Sequence, residues 1–308
     1  MVVARLYRSA IVLALLFLQP LVAHANLRVV ATIKPVHSLV AAVTDGVFEP
    51  HLLLDGIVSP HQATLKPSGV RALNNADLVF RVGSGLEGFL DNTLRKLEPT
   101  ANVIELVESV DQPLLELRTG DSAEDDHSHS HSHEHGSTFD VHIWTDPVMA
   151  AAIVSLVEKE LSRMDPANAE RYAANARIYS LKLDSLNKEV SASLKHVNDV
   201  PFMVYHDSFQ YFEQRYQLNG RGVVALQPEV QPGASGVKGV LNFIDTDNVH
   251  CLFSESQFPS RIVTMIVGES GVGHQTLDPL GNQFPPGPDM YIDWMRETAR
   301  QIGECLKS

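Results

Sequence analysis

Histidine is unevenly placed in this 308-residue chain. Five of its fourteen histidines, His127, His129, His131, His133 and His135, alternate with Ser and Glu inside the acidic run DSAEDDHSHSHSHEHGS. Imidazole and carboxylate are borderline ligands for divalent ions, so the composition points to capture of a transition metal. No apolar residue lies between Ala123 and Phe139. Such a segment has nothing to bury against the entropy of ordering, so 121–137 is expected to be a disordered loop with weak, interchangeable sites.

A tighter site needs ligands held by folded elements. Three solitary histidines stand in loop contexts close to a helix start: His61 before Pro67, His142 before Asp146-Pro147, and His206 directly after the apolar run FMVY. Asp278, in TLDPLG, is a fourth candidate, although Asp-Pro there could simply start a turn. Three imidazoles with one carboxylate, or a water in its place, form a tetrahedral N/O set suited to Zn²⁺. Mg²⁺ or Ca²⁺ would need more oxygen, and Mn²⁺ a larger carboxylate share. His37, His51, His196 and His250 read as structural, and His274 is the least certain because it lies near Asp278.

Short β-branched runs alternate with helical stretches on both sides of the chain centre, the pattern of parallel α/β sheets. Expected strands cover 27–33, 49–54, 76–82 and 102–106, then 201–205, 222–226, 249–253 and 273–277. Helices are expected at 35–43, 67–74, 86–97 and 147–164, then 209–216, 237–244, 259–266 and 290–306. Loops beyond the carboxyl ends of such strands are where open sheets hold ligands. From Asp165-Pro166 to about Val197 the apolar residues Tyr172, Ala176, Tyr179, Leu183, Leu186 and Val190 recur every three or four positions. One stiff helix of roughly 45 Å is expected, joining two lobes. A coiled-coil seam is the alternative.

The opening MVVARLYRSAIVLALLFLQPLVAHA has a basic start, an apolar stretch and Ala23-His24-Ala25. It reads as a secretory leader cleaved after Ala25, which places the mature chain in the periplasm. The expected layout is a leader at 1–25, a first lobe at 26–164, a connecting helix at 165–198 and a second lobe at 199–308. The net charge is −13, and without Arg5 and Arg8 the balance becomes 22 against 37, or −15. That disfavours nucleic acid and anionic membrane as partners and suits cations. In an exported chain the isolated pair Cys251 and Cys305 is expected to form a disulfide.

Longer pieces narrow the reading: SPHQATLKPSGVRALNNADLVFRVG at 59–83, VHIW at 141–144, YHDSFQYFEQRY at 205–216, QPEVQPGAS at 227–235 and TLDPLG at 276–281. With IKP near Lys34, the acidic His-rich run and the two cysteines, the chain resembles the periplasmic zinc-binding proteins of the ZnuA type, solute receptors of ABC transporters. The resemblance implies two α/β lobes bridged by a rigid helix, with metal in the cleft between them. It implies zinc ligation by His61, His142 and His206. It also implies a receptor, expected to be monomeric, that delivers zinc to a cognate inner-membrane ABC permease and is not an enzyme. Pro60 stands where some zinc-type members carry a Glu ligand, which leaves Asp278, water or a loop histidine for the fourth position. A manganese or iron receptor, a secreted zinc hydrolase and an adhesin are the competing functions. No HExxH motif supports the hydrolase.

Overall fold

The computed structural model describes residues 27–97, 101–118, 138–226, 228, 230–258 and 261–307. The leader at 1–25 and the His-rich segment 121–137 lie outside the described residues.

The first half runs β1 (Val29–Ala31), α1 (Lys34–Thr44), β2 (His51–Leu52), α2 (Pro67–Asn74), β3 (Leu78–Arg81), α3 (Ser84–Glu87), α4 (Asp91–Leu97), β4 (Asn102–Glu105) and α5 (Leu106–Ser109). Two long helices follow, α6 (Pro147–Met164) and α7 (Ala169–Leu194). The second half runs β5 (Phe202–Val204), α8 (Gln210–Tyr216), β6 (Gly220–Val223), α9 (Ala234–Thr246), β7 (Cys251–Glu255), α10 (Arg261–Ser270), β8 (Gly273–Leu277) and α11 (Met290–Lys307).

Each half builds a four-stranded parallel sheet, in the orders β2-β1-β3-β4 and β6-β5-β7-β8. In both, the strand order reverses beside the first strand, the topology that opens a crevice at the carboxyl ends. The two inner strands of each sheet are buried throughout, with apolar runs such as VVA and FMV, as sheets covered on both faces require.

Helix α7 turns the stripe Tyr172, Ala176, Tyr179, Leu183, Leu186, Val190 and Leu194 inward. It packs on α1 of the first half and α11 of the second, with α6 alongside. One hydrophobic cluster therefore runs through both lobes. Fully buried residues of this kind contribute about 1.5–3 kcal/mol each, and Leu186→Ala would cost about 2–5 kcal/mol. The disulfide Cys251–Cys305 ties β7 to α11.

Several boundaries differ from the sequence expectation. The long helix starts at Ala169, because Pro166 opens a separate 3-10 turn, Pro166–Asn168, in which Asn168 bonds back to the carboxylate of Asp165. Its 26 residues span about 39 Å rather than 45 Å. The expected helix over 86–97 is broken at Gly88–Leu90 into a 3-10 turn, where glycine lowers helix propensity. The strand expected at 222–226 sits at Gly220–Val223, and the one at 249–253 begins at Cys251, because Asn248 (φ 51°) and Val249 are used by the turn from α9.

Candidate metal centre

His61 lies in the loop between β2 and α2, and Ser59 Oγ accepts its backbone N–H at 3.3 Å. His142 heads a 3-10 turn, Ile143–Thr145, that leads into α6, where Asp146 caps Val148 N–H at 2.8 Å. His206 stands two residues past the end of β5. The fold brings the three rings together, with centroids 5.6 Å (His61–His142), 5.4 Å (His61–His206) and 4.9 Å (His142–His206) apart. One ring nitrogen from each lies within 4.8 Å of the other two. Tetrahedral zinc ligation at ~2.1 Å needs nitrogens ~3.4 Å apart, so small ring rotations suffice. The cavity they line is about 10 Å³ and is shared with Trp144, Phe258, Pro279 and Leu280. That is room for one water or ion.

Two buried carboxylates stand behind the rings. His142 Nδ1 is 2.6 Å from Asp140 Oδ1, which also accepts the His142 backbone N–H at 2.9 Å. His206 Nδ1 is 2.9 Å from Glu255 Oε1, which accepts from Ser208 Oγ at 3.2 Å. A carboxylate can only accept, so each ring holds its proton on Nδ1 and offers Nε2 to the cavity. The parallel register of β5 and β7, with Val204 beside Phe253, brings His206 and Glu255 together. Among the described residues, His61 has no such carboxylate, and its Nε2 is buried without a hydrogen-bond partner.

These surroundings favour neutral imidazole at two positions. Burial, and then the neighbouring histidines, push His61 down to about 2. Burial, with His206 nearby, holds His142 well below its ordinary value. Burial also lowers His206, but the charge and hydrogen bond of Glu255 outweigh it and the net shift is upward. Burial raises Asp140 to about 7 against the opposing hydrogen bond from the His142 backbone.

Asp278 lies outside the histidine group. Its oxygens accept from Gln257 Nε2 (2.8 Å), Leu280 N–H (3.0 Å), Asn282 N–H (2.5 Å) and Asn282 Nδ2 (3.1 Å). It organises the turn that carries Pro279 and Leu280 to the cavity wall. His274 bonds Ser254 Oγ at 2.9 Å, and His37 sits on α1 with Nε2 3.0 Å from Pro50 O.

Asp140 and Glu255, the carboxylates against the His142 and His206 rings, were missed by the sequence reading. The available signals were Asp140 two positions before His142, and a Glu closing the apolar strand CLFSE. A strap, residues 111–118, was also missed. It returns as an antiparallel bridge, Glu116 to Phe139, over α8. Tyr211 OH accepts from Leu115 N–H and donates to Asp140 O, both at 3.0 Å. Asp140 thus belongs at once to the candidate centre and to the segment that pairs with the strap, its N–H bonding Leu115 O at 2.8 Å.

Residues 29–305 match the family described as zinc-uptake complex component A, periplasmic (ZnuA). The high-affinity zinc uptake system protein ZnuA of Brucella abortus (strain 2308) is 36% identical over 304 residues, covering 90% of this chain and 91% of that protein. A crystal structure of a ZnuA superposes with a TM-score of 0.77 at 23% identity, covering 91% of this chain and 99% of the other. The receptor FpvC of Pseudomonas aeruginosa in complex with Mn²⁺ gives 0.78 at 24% identity, covering 92% and 99%.

Proposed function

Because the chain belongs to the family of periplasmic ZnuA zinc-uptake components, we propose that it is a high-affinity receptor that captures Zn²⁺ in the periplasm and delivers it to the permease of an ABC importer. The observation that carries this reading is the meeting of His61, His142 and His206, from both halves of the chain, at one small cavity. Three imidazoles without a protein carboxylate in the group suit Zn²⁺ better than Mn²⁺ or Fe²⁺. We assign the fourth position to water or another outside ligand, since Asp278 is engaged by four donors. The chain binds its ion rather than transforming a substrate. The histidines of 121–137 act as weak collectors, and the leader is removed after Ala25.

Titration of metal-free protein with Zn²⁺ against a chromophoric chelator tests the assignment. His61→Ala, His142→Ala and His206→Ala each lose the tight site. Deletion of 121–137 keeps it and removes weak ones. Wild-type affinity in all three point variants would refute the proposed ligand set.

A further inference from the structure

Resting on the zinc-receptor reading, we infer that Asp140 and Glu255 are positioning residues that fit this centre to divalent rather than monovalent ions. Three neutral imidazoles bring no net charge to match that of the ion, and soft monovalent ions such as Ag⁺ also accept nitrogen donors. Charge enters from behind the rings. Asp140 Oδ1 stands 2.6 Å from His142 Nδ1 and Glu255 Oε1 2.9 Å from His206 Nδ1, and both carboxylates are buried.

Ligation requires both groups as anions. A carboxylic acid in either place would donate to Nδ1 and leave an N–H aimed at the cavity, where no ion could be held. Among the described residues His61 brings no carboxylate, so Asp140 and Glu255 place two negative charges one ring-width from the ion. The nearby cation, Arg118, is already engaged by Glu213 and Asp207. A dication therefore balances the two carboxylates behind the rings, whereas a monocation leaves one of those charges uncompensated at a buried position.

Coulomb energy is linear in the charge of the ion. Removing one carboxylate charge must then weaken a dication twice as much in free energy as a monocation, so the fold-loss for Zn²⁺ is the square of that for Ag⁺.

The test uses the full chain with Asp140→Asn and Glu255→Gln, which keep shape and a hydrogen-bond acceptor. Affinities for Zn²⁺ and, in chloride-free buffer, for Ag⁺ are measured by competition, with circular dichroism as the folding control. We expect each variant to lose roughly 10- to 100-fold for Zn²⁺ and, by the square relation, about 3- to 10-fold for Ag⁺. Asp140→Glu and Glu255→Asp keep the charge and must keep the wild-type ratio of the two affinities, which carries the test where an amide variant fails to fold. Equal fold-losses for the two ions, or no loss for Zn²⁺, would overturn the inference and leave the zinc site standing. Failure of the wild type to bind Zn²⁺ tightly, or full binding by His142→Ala, would instead remove the reading beneath it.

Discussion

Arg118, on the strap, sets its guanidinium against the buried carboxylate of Glu213 on α8, 95 positions along the chain, with Asp207 at 3.4 Å on its other side. Burial raises Glu213 to about 7 and Asp207 to about 6 in spite of this cation. Arg118→Ala leaves both carboxylates without a counter-charge. We expect a loss of about 3 kcal/mol, the low end for breaking a buried pair, because the Arg118 side chain stays 29% exposed. Urea denaturation measures it, and Arg118→Ala with Glu213→Gln should recover part of the loss.

Zinc affinity should fall as pH falls. The metal needs neutral imidazole, and His206, raised by Glu255 over the opposing effect of burial, takes up a proton first. His61 and His142, both lowered, stay neutral across the same range. Chelator competition between pH 8 and pH 5.5 should therefore show a weakening that approaches tenfold per pH unit once His206 titrates. A flat profile would contradict the proposed role of His206.

Away from the centre, Glu87 is fully buried between Thr32 Oγ1 and Gly83 N–H, and burial raises it from 4.5 to about 7. Its folded state holds the proton more tightly than the unfolded chain. Stability from this group is therefore fully present below about pH 4.5 and is lost as pH rises to about 7. The loss is on the order of 3 kcal/mol. Glu87→Gln should flatten that part of the stability profile and gain most at pH 8, as read by chemical denaturation across the range.

The Cys251–Cys305 bridge closes a loop with a sequence separation of 54. Chain-entropy arithmetic puts its contribution at about 4 kcal/mol, an upper figure. A Cys251→Ser/Cys305→Ser variant should melt earlier while keeping the zinc site, since neither cysteine lines the cavity. Calorimetry with and without Zn²⁺ separates the two effects.

Much of the centre could be read from residue type and context. His61, His142 and His206 were visible because each is a solitary histidine in a loop beside a helix start. Asp140 and Glu255 were harder, because a carboxylate becomes an imidazole partner only through strand register and a tight turn, and neither leaves a spacing in the sequence. Asp278 shows the converse. As a residue type it fits a ligand, yet the local demand of the turn at 279–282 for an acceptor claims its oxygens. Among the helices, α7 was legible from its apolar stripe, while its start was shifted by the 3-10 turn at Pro166, where short-range hydrogen bonding decides the boundary. The strap escaped notice because it is held by Tyr211, Gln210 and Arg118 rather than by a periodic apolar face.

The apolar cluster that threads α1, α6, α7 and α11 has a consequence for how the chain can be cut. Helix α1 is buried along its whole length, partly against α7 and α11. Neither sheet with its own helices alone would cover that surface. A fragment ending before α7, or one beginning after it, would bare the stripe its missing partner conceals. Each should be recovered as aggregate, and co-expression of the two halves is the condition under which a soluble assembly could form.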